Sequence, residues 1–347
     1  MPEPTAGAPD QGGLLDSPLP LRRRRGWWLP GAVLLIALVV FVLARHAEEK
    51  QFLHLLRQAR PGWLLMAVLL QLATYLCDGV LWQRVLARAS VRASVWGLAR
   101  LSLMKLTFDQ VIPTAGIGGS MMVARGLRKE GASSGAAVAA ILLTLLCFYV
   151  AQALSVGWSL VYLWMHQELD ALVKWMATAF SVVAIAVPVG ILLLAGRGSW
   201  RPGRWSRRLP GLANLLRTMS EVPPALLRDG RLLAEGSVLQ VAIFVLDAAT
   251  LGVLVLALGE AASLGTLFAS FMMASVAQTV SFIPGGVGTF EAASVAMLSF
   301  LGLPVEAALT ATLLFRGFTL WLPLLPGFYL LHWSMRRGEP LGGIPSH

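Results

Sequence analysis

The sequence predicts an all-α membrane protein with about six transmembrane helices and two re-entrant helical hairpins, arranged as an inverted repeat. The first observation is composition: of 347 residues, 56% are hydrophobic and 13% are charged, and the mean hydropathy is +0.70. A soluble domain carries about 25% charged residues. The second is that Arg and Lys cluster between apolar runs. The third is a motif interrupted by glycine and proline, which occurs twice about half a chain apart.

The amino-terminal part predicts a tail and a first span. Residues 1–26 are rich in Pro and Gly and contain a run of arginines, which indicates a disordered basic cytoplasmic tail. The apolar run Trp27–Ala44 is about long enough to cross a bilayer. A basic run before it resembles a signal peptide, but no small-residue cleavage site follows, so we expect an uncleaved span. Residues 46–60 indicate an interfacial amphipathic helix on the outer side.

The rest of the first repeat, about residues 27–165, contains two further spans and one hairpin. A second span, about Pro61 to Leu86, ends among arginines, which places that end in the cytoplasm. The interrupted segment from about Ala99 to Arg128 is basic at both ends. A hairpin entering from the cytoplasm keeps both basic ends inside, whereas a single crossing leaves one outside. The third span runs from about Gly135 to Met165.

The second repeat, about residues 171–333, begins with a fourth span from about Leu172 to Ala195. The following stretch, residues 197–235, carries eight arginines together with Trp and Leu residues. It predicts a basic amphipathic loop that lies on the anionic cytoplasmic leaflet. The fifth span runs from about Ser237 to Leu258 and leads to a stretch without Arg or Lys.

The end of the second repeat reverses the orientation of the first. The interrupted segment from about Leu264 to Leu303 has no basic residue on either flank, so a hairpin entering from outside fits. The last span, about Val305 to Trp333, ends at a pair of arginines and is followed by a cytoplasmic tail, residues 334–347. Three spans and one hairpin in each half invert the second half relative to the first and leave both termini in the cytoplasm.

The interrupted segments carry related motifs. The second reads Ser281-Phe-Ile-Pro-Gly-Gly-Val-Gly-Thr-Phe-Glu291, and the first reads Val111-Ile-Pro-Thr-Ala-Gly-Ile-Gly-Gly-Ser-Met121. Proline and glycine break helices, and broken backbone at membrane depth persists only in protein or beside a wet cavity. Paired interruptions in two halves point to a transporter's binding site. The alternative is a Pro-Gly kink in an ordinary spanning helix, with Glu291 at the interface.

The glycine tips are candidate binding sites for a lipid substrate. We expect each returning half-helix to begin near its tip, with unpaired N–H groups and the positive end of its dipole toward the membrane centre. Two such ends favour an anion such as phosphate. The candidate tip residues are Gly116, Gly118 and Gly119 in the first motif, and Pro284, Gly285, Gly286, Gly288 and Thr289 in the second. Tight helix packing by small residues is the alternative role of each glycine.

Charged residues within the apolar runs are further candidates. Arg316 lies about eleven residues into the last span, or about 16 Å at 1.5 Å per residue, which is near the middle of a core about 30 Å thick. It is expected to hold a lipid phosphate, to form a structural ion pair with Glu291 or Asp247, or both. Glu291, in the first turn of its helix, suits the helix dipole and is a candidate for proton exchange.

Five other charged residues have two possible roles each. Asp78 and Asp247 lie in spans and Asp109 precedes the first tip. Each is a proton-relay candidate, and interhelical hydrogen bonding is the alternative. Lys105 and Arg125 either guide an anionic headgroup from the cytoplasmic side or anchor helix ends at the interface.

No motif in the sequence predicts catalysis, a cofactor or a metal. There is no nucleophile elbow, P-loop or dinucleotide fingerprint. The isolated cysteines Cys77 and Cys147 predict no disulfide or metal framework, and the five histidines have no ligand spacing. We therefore expect a transporter rather than an enzyme. The net charge of +10 suits anionic lipid surfaces, and no fold pattern favours nucleic acid.

The second motif, with Arg316 and Pro326-Gly327 downstream, resembles the flippase-like membrane family named after the transmembrane region of lysylphosphatidylglycerol synthases. The resemblance covers about Gly31 to Trp333. Glu291 matches the glutamate of the family's Pro-Gly-Gly-x-Gly-x-x-Glu signature, and Arg316 matches its downstream arginine. The first motif, Pro113-Thr-Ala-Gly116, matches the glycine pattern less well.

The resemblance implies a function. It implies movement of an anionic phospholipid or a polyprenyl-phosphate-linked lipid between the leaflets of a bacterial or archaeal inner membrane. The soluble aminoacyl-transfer domain of full-length synthases is absent here, so we do not expect lysine transfer by this chain alone. One alternative is a membrane enzyme or an accessory subunit that presents lipid to a separate transferase. A weaker alternative is a small-ion transporter.

Overall fold

The computed structural model describes residues 60–111, 117–166, 229–281, 286–327 and 329. These residues form eight α-helices: α1 (Pro61–Arg88), α2 (Val95–Val111), α3 (Ile117–Lys129), α4 (Ser134–His166), α5 (Gly230–Ala257), α6 (Leu264–Val280), α7 (Thr289–Phe300) and α8 (Val305–Arg316). A π-helix, Gly317–Trp321, directly follows α8. The described residues contain no strand, which confirms the all-α class.

Four helical stretches are long and apolar enough to cross a bilayer. They are α1, α4, α5 and α8 with its continuation to Gly327, and they correspond to the predicted second, third, fifth and last spans. The chain is therefore a multi-pass membrane protein. The predicted first and fourth spans, both tails, nearly all of the amphipathic stretch 46–60 and most of the loop 197–235 lie outside the described residues, so six spans stays a prediction.

Helix α5 begins earlier than the sequence predicted. Oδ1 of Asp229 accepts hydrogen bonds from the backbone N–H groups of Arg231 and Leu232, both at 3.1 Å. This side-chain cap satisfies two N–H groups that the first turn of a helix leaves unpaired. The last six residues of the predicted loop 197–235 consequently belong to α5. The helix that contains the predicted fifth span therefore begins seven residues before Ser237, and the place where the span enters the membrane stays a prediction.

The described helices repeat one order in the two halves of the chain. A long helix, two short helices and a second long helix appear as α1 to α4 and again as α5 to α8, where α8 is long together with its continuation to Gly327. Neighbours within each series pack against each other. The short helices contain 17, 13, 17 and 12 residues. At 1.5 Å per residue they reach at most about 25 Å, which is less than the hydrocarbon core of about 30 Å. The inverted orientation of the halves stays a prediction.

The chain folds back within each short pair. Phe271 on α6 and Phe290 on α7 lie with ring centroids 6.2 Å apart. Across the first break, the backbone N–H of Gly119 donates to Asp109 at 3.0 Å. A Pro-Gly kink in one continuous span does not account for helices that pack side by side. Whether each pair enters and leaves through one membrane face stays a prediction, and the described residues show no extensive packing between the two pairs.

The described residues form two buried apolar clusters that join the two series. One lies mainly in the first series around Leu98 and Leu143 and includes Leu232 of α5. The other lies mainly in the second series around Met272 and includes Leu163 of α4. Small residues allow close helix contact where lipid removes the hydrophobic driving force between helices. A Cβ atom at Gly79 on α1 would lie 2.9 Å from the backbone of α2. Any larger residue at that position would therefore separate α1 from α2.

Candidate functional site

Two glycines with positive φ form the turn that leads into α7. Gly286 has φ 61° and Gly288 has φ 86°, and glycine adopts this left-handed region without steric cost. A Cβ at Gly286 would also lie 2.3 Å from Cγ of Gln278 on α6. The hydroxyl of Thr289 donates to the carbonyl of Gly286 at 2.9 Å. These contacts fix the direction in which α7 leaves the turn. Of the predicted tip residues, Pro284 and Gly285 lie outside the described residues.

Glu291 lies in the first turn of α7, as predicted. Its Oε2 accepts a hydrogen bond from the backbone N–H of Gly288 at 2.7 Å. A carboxylate in this position satisfies an unpaired donor and interacts favourably with the helix dipole. The expectation that this end of α7 offers unpaired N–H groups to an anion is therefore wrong for Gly288. A substrate phosphate approaching this end meets a carboxylate as well as the helix dipole.

Arg316 is the partner of Glu291. Its Nε donates to Oε1 of Glu291 at 2.7 Å, and the two side chains are only 9% and 20% exposed. A short hydrogen bond between two charged groups is stronger than a neutral one. Glu291 therefore uses one oxygen on its own helix and the other on α8. This confirms the ion pair with Glu291 that the sequence offered as one role of Arg316.

Aromatic rings enclose one side of Arg316. Its guanidinium carbon lies 5.0 Å from the ring centroid of Phe290, a favourable arrangement of a cation over an aromatic face. Phe290 stacks on Phe315 with centroids 5.6 Å apart, and Phe271 meets the edge of both rings. The π-helix begins immediately after Arg316, and such widened turns are frequent at functional sites. The π-helical turn and the buried guanidinium of Arg316 are thus adjacent in the chain.

A groove of about 380 Å³ opens between α7 and α8 beside Glu291. Its apolar walls are formed by Ala292, Val295, Ala296, Val305 and Leu309. Val305 is 57% exposed and Leu309 is 42% exposed. The groove therefore faces the surroundings of these helices, which in a membrane is lipid, and has a carboxylate at one end.

The amino end of α3 is also capped by a carboxylate, but from the preceding helix. Oδ1 of Asp109 on α2 accepts the Gly119 N–H at 3.0 Å, and Oδ2 accepts from Nζ of Lys105 at 2.9 Å. A Cβ at Gly119 would lie 2.3 Å from Oδ1 of Asp109, so the cap requires glycine there. Met121, which occupies the place of Glu291, is 42% exposed. Unpaired N–H groups were expected here too, and that expectation is wrong for Gly119.

The remaining predicted site residues differ in their surroundings. Gly118 lies in the first turn of α3, and Gly116 lies outside the described residues. Arg125 is half-buried on α3. Within the described part of the chain, no ion pair or hydrogen bond of the Arg125 side chain is found.

The two aspartates in spans form hydrogen bonds between helices. Asp78 on α1 accepts one from the hydroxyl of Ser102 on α2. Asp247 on α5 accepts one from Nε2 of Gln71 at 2.9 Å, and the same Nε2 donates to Oγ1 of Thr250 at 3.1 Å. Both aspartates therefore form the interhelical hydrogen bonds that the sequence offered as the alternative, and a role in proton transfer stays a prediction. Sequence reasoning missed Gln71 and Ser102 as the partners of these aspartates. Both are uncharged polar residues within apolar helices, and that pattern could have identified them.

Comparison with known protein families gives a match over most of the chain. A family model described as the lysylphosphatidylglycerol synthase TM region matches residues 28–327. The matched range includes both short helix pairs and the contact between Glu291 and Arg316. No curated protein gives a significant match to the chain.

Proposed function

Because the chain belongs to the family of the lysylphosphatidylglycerol synthase TM region, we propose that it moves an anionic lipid between membrane leaflets. The family ties the chain to membrane lipid metabolism or transport. The substrate class is a phospholipid or a polyprenyl-phosphate-linked lipid, whose headgroup passes between the two short helix pairs. The observation that carries the proposal is a mostly buried Arg316, paired with Glu291 at the end of an open apolar groove.

Arg316 has an anionic partner throughout the proposed transport cycle, either Glu291 or the lipid phosphate. Without substrate, Glu291 neutralises the arginine, since an unpaired charge in such a place is costly. A lipid phosphate displaces Glu291, because the planar guanidinium binds phosphate through two parallel hydrogen bonds. Glu291 retains its hydrogen bond to Gly288 meanwhile. When the lipid leaves, Glu291 returns to Arg316, which keeps the phosphate from binding too tightly to be released.

The groove supports the same proposal from the hydrocarbon side. A headgroup at Arg316 must bring its hydrocarbon chain to the same place. The apolar walls between α7 and α8 offer that chain a path that begins beside Glu291. A lipid therefore provides both a phosphate for Arg316 and a hydrocarbon chain for the groove.

The surroundings of the site follow from the same proposal. We place the protein in a bacterial or archaeal cytoplasmic membrane, with both termini in the cytoplasm. The basic stretch 197–235 then rests on the anionic cytoplasmic leaflet. The two short pairs enter from opposite faces, which brings one capped helix end to the substrate from each side.

The test is leaflet exchange in proteoliposomes that contain phosphatidylglycerol with a fluorescent label on one acyl chain and are quenched from outside. Native protein is expected to make the inner-leaflet label accessible, and Arg316→Gln and Glu291→Gln are expected to abolish this. Arg231→Gln is the matched control, because Arg231 pairs with Glu235 at the exposed start of α5. Unchanged exchange in both site variants would exclude the mechanism.

The same preparation separates the alternative function. Presentation of lipid to a separate transferase is favoured by the family description, which names the membrane region of a synthase. The reconstituted protein would then bind phosphatidylglycerol without moving the label between leaflets. Flux of small ions without any lipid dependence would instead indicate an ion transporter.

A further inference from the structure

We propose that Gln152, Ser275 and Thr279 bind an alkali-metal cation between α4 and α6, and that this cation holds the end of α6 beside the turn that leads into α7. The site rests on the proposed function only for its purpose, which is to couple lipid movement to a cation. The binding of the cation is a separate matter and is tested without any lipid movement.

The three side chains meet where the two series of helices contact each other. Gln152 lies near the middle of α4, the last helix of the first series. Ser275 and Thr279 lie one turn apart on α6 of the second series. The rings of Trp158 and Phe268, 5.3 Å apart, show that α4 and α6 continue side by side from there. In transporters built from repeats, coupling ions bind near the bilayer midplane, between the repeats and beside a discontinuous helix.

The amide of Gln152 is buried and poorly paired. The residue is 0% exposed, and its Nε2 lies 3.5 Å from Oγ of Ser275 and 3.4 Å from Oγ1 of Thr279. Both distances exceed the usual range of about 2.7–3.2 Å for an N–H···O hydrogen bond. Its Oε1 has no hydrogen-bond partner among the described residues. Because a buried polar atom without a partner is costly, the surroundings of Gln152 favour a polar ligand.

A half-turn of this amide converts the site into one of oxygen atoms. The exchange of Oε1 and Nε2 changes the shape of the side chain little and directs Oε1 toward the two hydroxyl oxygens. The Thr279 hydroxyl donates its proton to the carbonyl of Ser275 at 2.8 Å, so its lone pairs remain available. Oxygen ligands suit hard cations. Because these three carry no charge and do not titrate near neutral pH, they favour a monovalent metal ion over a divalent ion or a proton.

The carboxyl end of α6 adds to the attraction for a cation. Thr279 lies in the last turn of α6, which ends at Val280. The final carbonyls of a helix have no intrahelical partner, and the helix dipole gives this end a partial negative charge. In transporters, such half-helix carboxyl ends coordinate sodium. The same end repels a phosphate, so this site differs in sign from the anion site at Arg316.

The proposed cation site adjoins the turn before α7. Gln278, in the last turn of α6, packs so closely on Gly286 that a Cβ there would lie 2.3 Å from its Cγ. Two residues further on, the backbone N–H of Gly288 donates to Glu291 at 2.7 Å. A cation that fixes the end of α6 therefore fixes this turn, and with it the carboxylate that exchanges with the lipid phosphate.

The first test measures thermal unfolding in detergent, without lipid substrate, in sodium, potassium or choline chloride at one ionic strength. The native protein should unfold several degrees higher in sodium or potassium than in choline, because a ligand of the folded state stabilises it. Thr279→Val and Gln152→Leu should lose this difference. Thr312→Val is the matched control and should retain it, since the buried Thr312 hydroxyl contacts Ser294 between α7 and α8.

Direct binding to the native protein gives a result that does not depend on how well a variant folds. Radioactive sodium, or radioactive rubidium in place of potassium, is expected to bind saturably and to resist displacement by choline. If neither ion binds saturably, the site is excluded. A full cation response in both Thr279→Val and Gln152→Leu would exclude it equally and would leave a buried water as the partner of Gln152.

The second test separates this site from the proposed function. Exchange of labelled phosphatidylglycerol in proteoliposomes should slow severalfold when choline replaces the bound cation, and Thr279→Val should be slow in both salts. Equal native exchange in both salts would overturn the link between the end of α6 and the turn. Saturable cation binding without any lipid exchange would instead overturn the proposed function and leave the cation site in place.

Discussion

The two returning short helices, α3 and α7, both have a backbone N–H near their amino ends that donates to a carboxylate. The two carboxylates lie on opposite sides of the chain break. In α7 the carboxylate is Glu291 of the helix itself, and its cation is Arg316 on the following span. In α3 the carboxylate is Asp109 of the preceding helix, and its cation is Lys105, four residues earlier. The α7 cap is therefore tied to a transmembrane helix, whereas the α3 cap is contained within its own helix pair.

The difference in exposure follows from these connections. The cation at α7 is 9% exposed and the one at α3 is 37% exposed. Breaking a mostly buried pair leaves a charge without solvent, whereas breaking an exposed pair returns the charge to water. We infer that α7 holds the substrate and that α3 admits it. Substitutions at the two caps should therefore differ in their effects on stability and on lipid exchange.

The largest effect is expected from removing one partner of the buried pair at α7. Arg316→Gln leaves Glu291 without its cation and should lower the free energy of unfolding by about 3 kcal/mol. Thermal unfolding in detergent measures this. The double variant Arg316→Gln with Glu291→Gln should recover part of the stability, because no charge is left unpaired, but none of the lipid exchange. Additive losses of stability would contradict a direct pair.

The second effect concerns the turn before α7. Gly288 has φ 86°, a conformation that is strained for alanine. Gly288→Ala should therefore displace the backbone N–H that donates to Glu291. We expect a loss of stability of about 1–2 kcal/mol together with loss of lipid exchange. Gly131→Ala is the matched control, because Gly131 has φ 93° in the turn after α3 and no atom lies near its Cβ position. It should cost similar stability and leave exchange unchanged.

A smaller effect is expected at the α3 cap. Asp109→Asn keeps an oxygen for the Gly119 N–H but removes the charge that holds Lys105, so the stability should fall by about 0.5–1 kcal/mol. Lipid exchange should slow at low substrate density and approach the native rate at high density. A loss of stability as large as that of Arg316→Gln would show that the two caps are equivalent, and would contradict separate roles of α7 in holding the substrate and of α3 in admitting it.

The smallest effect on stability is expected for Lys105→Met. Its ion pair with Asp109 is partly exposed, and such pairs contribute about 1 kcal/mol or less. The variant should therefore unfold at nearly the native temperature. Its lipid exchange should nevertheless lose part of its dependence on ionic strength, because the attraction of an anionic headgroup is screened by salt. An unchanged salt dependence would exclude Lys105 from headgroup capture.

The sequence predicted those parts of the site that depend on local pattern. The break before α7 and the place of Glu291 in the first turn follow from glycine, proline and the helix dipole. Arg316 within an apolar run was expected to need a partner, and Glu291 was among the expected partners. These features need only the neighbouring residues along the chain.

The parts that sequence did not predict depend on contacts between distant segments. The cap of α3 joins Asp109 to Gly119 across a break whose geometry no local pattern specifies. Gln71 and Ser102 were missed because only charged residues in the spans were considered as polar partners. The start of α5 at Gly230 was missed because the Asp229 cap lies in a basic stretch. The spans at 27–44 and 172–195 stay predictions because they lie outside the described residues.

In the proposed mechanism, a lipid phosphate replaces Glu291 on Arg316 while its hydrocarbon chain lies in the groove between α7 and α8. Electron cryomicroscopy of the protein in nanodiscs of phosphatidylglycerol can show such a lipid, and Glu291→Gln removes the competing carboxylate. We expect phosphate density within hydrogen-bond distance of Arg316 and chain density beside Ala296. Lipid density elsewhere, with the groove empty and Arg316 away from any phosphate in both proteins, would contradict it.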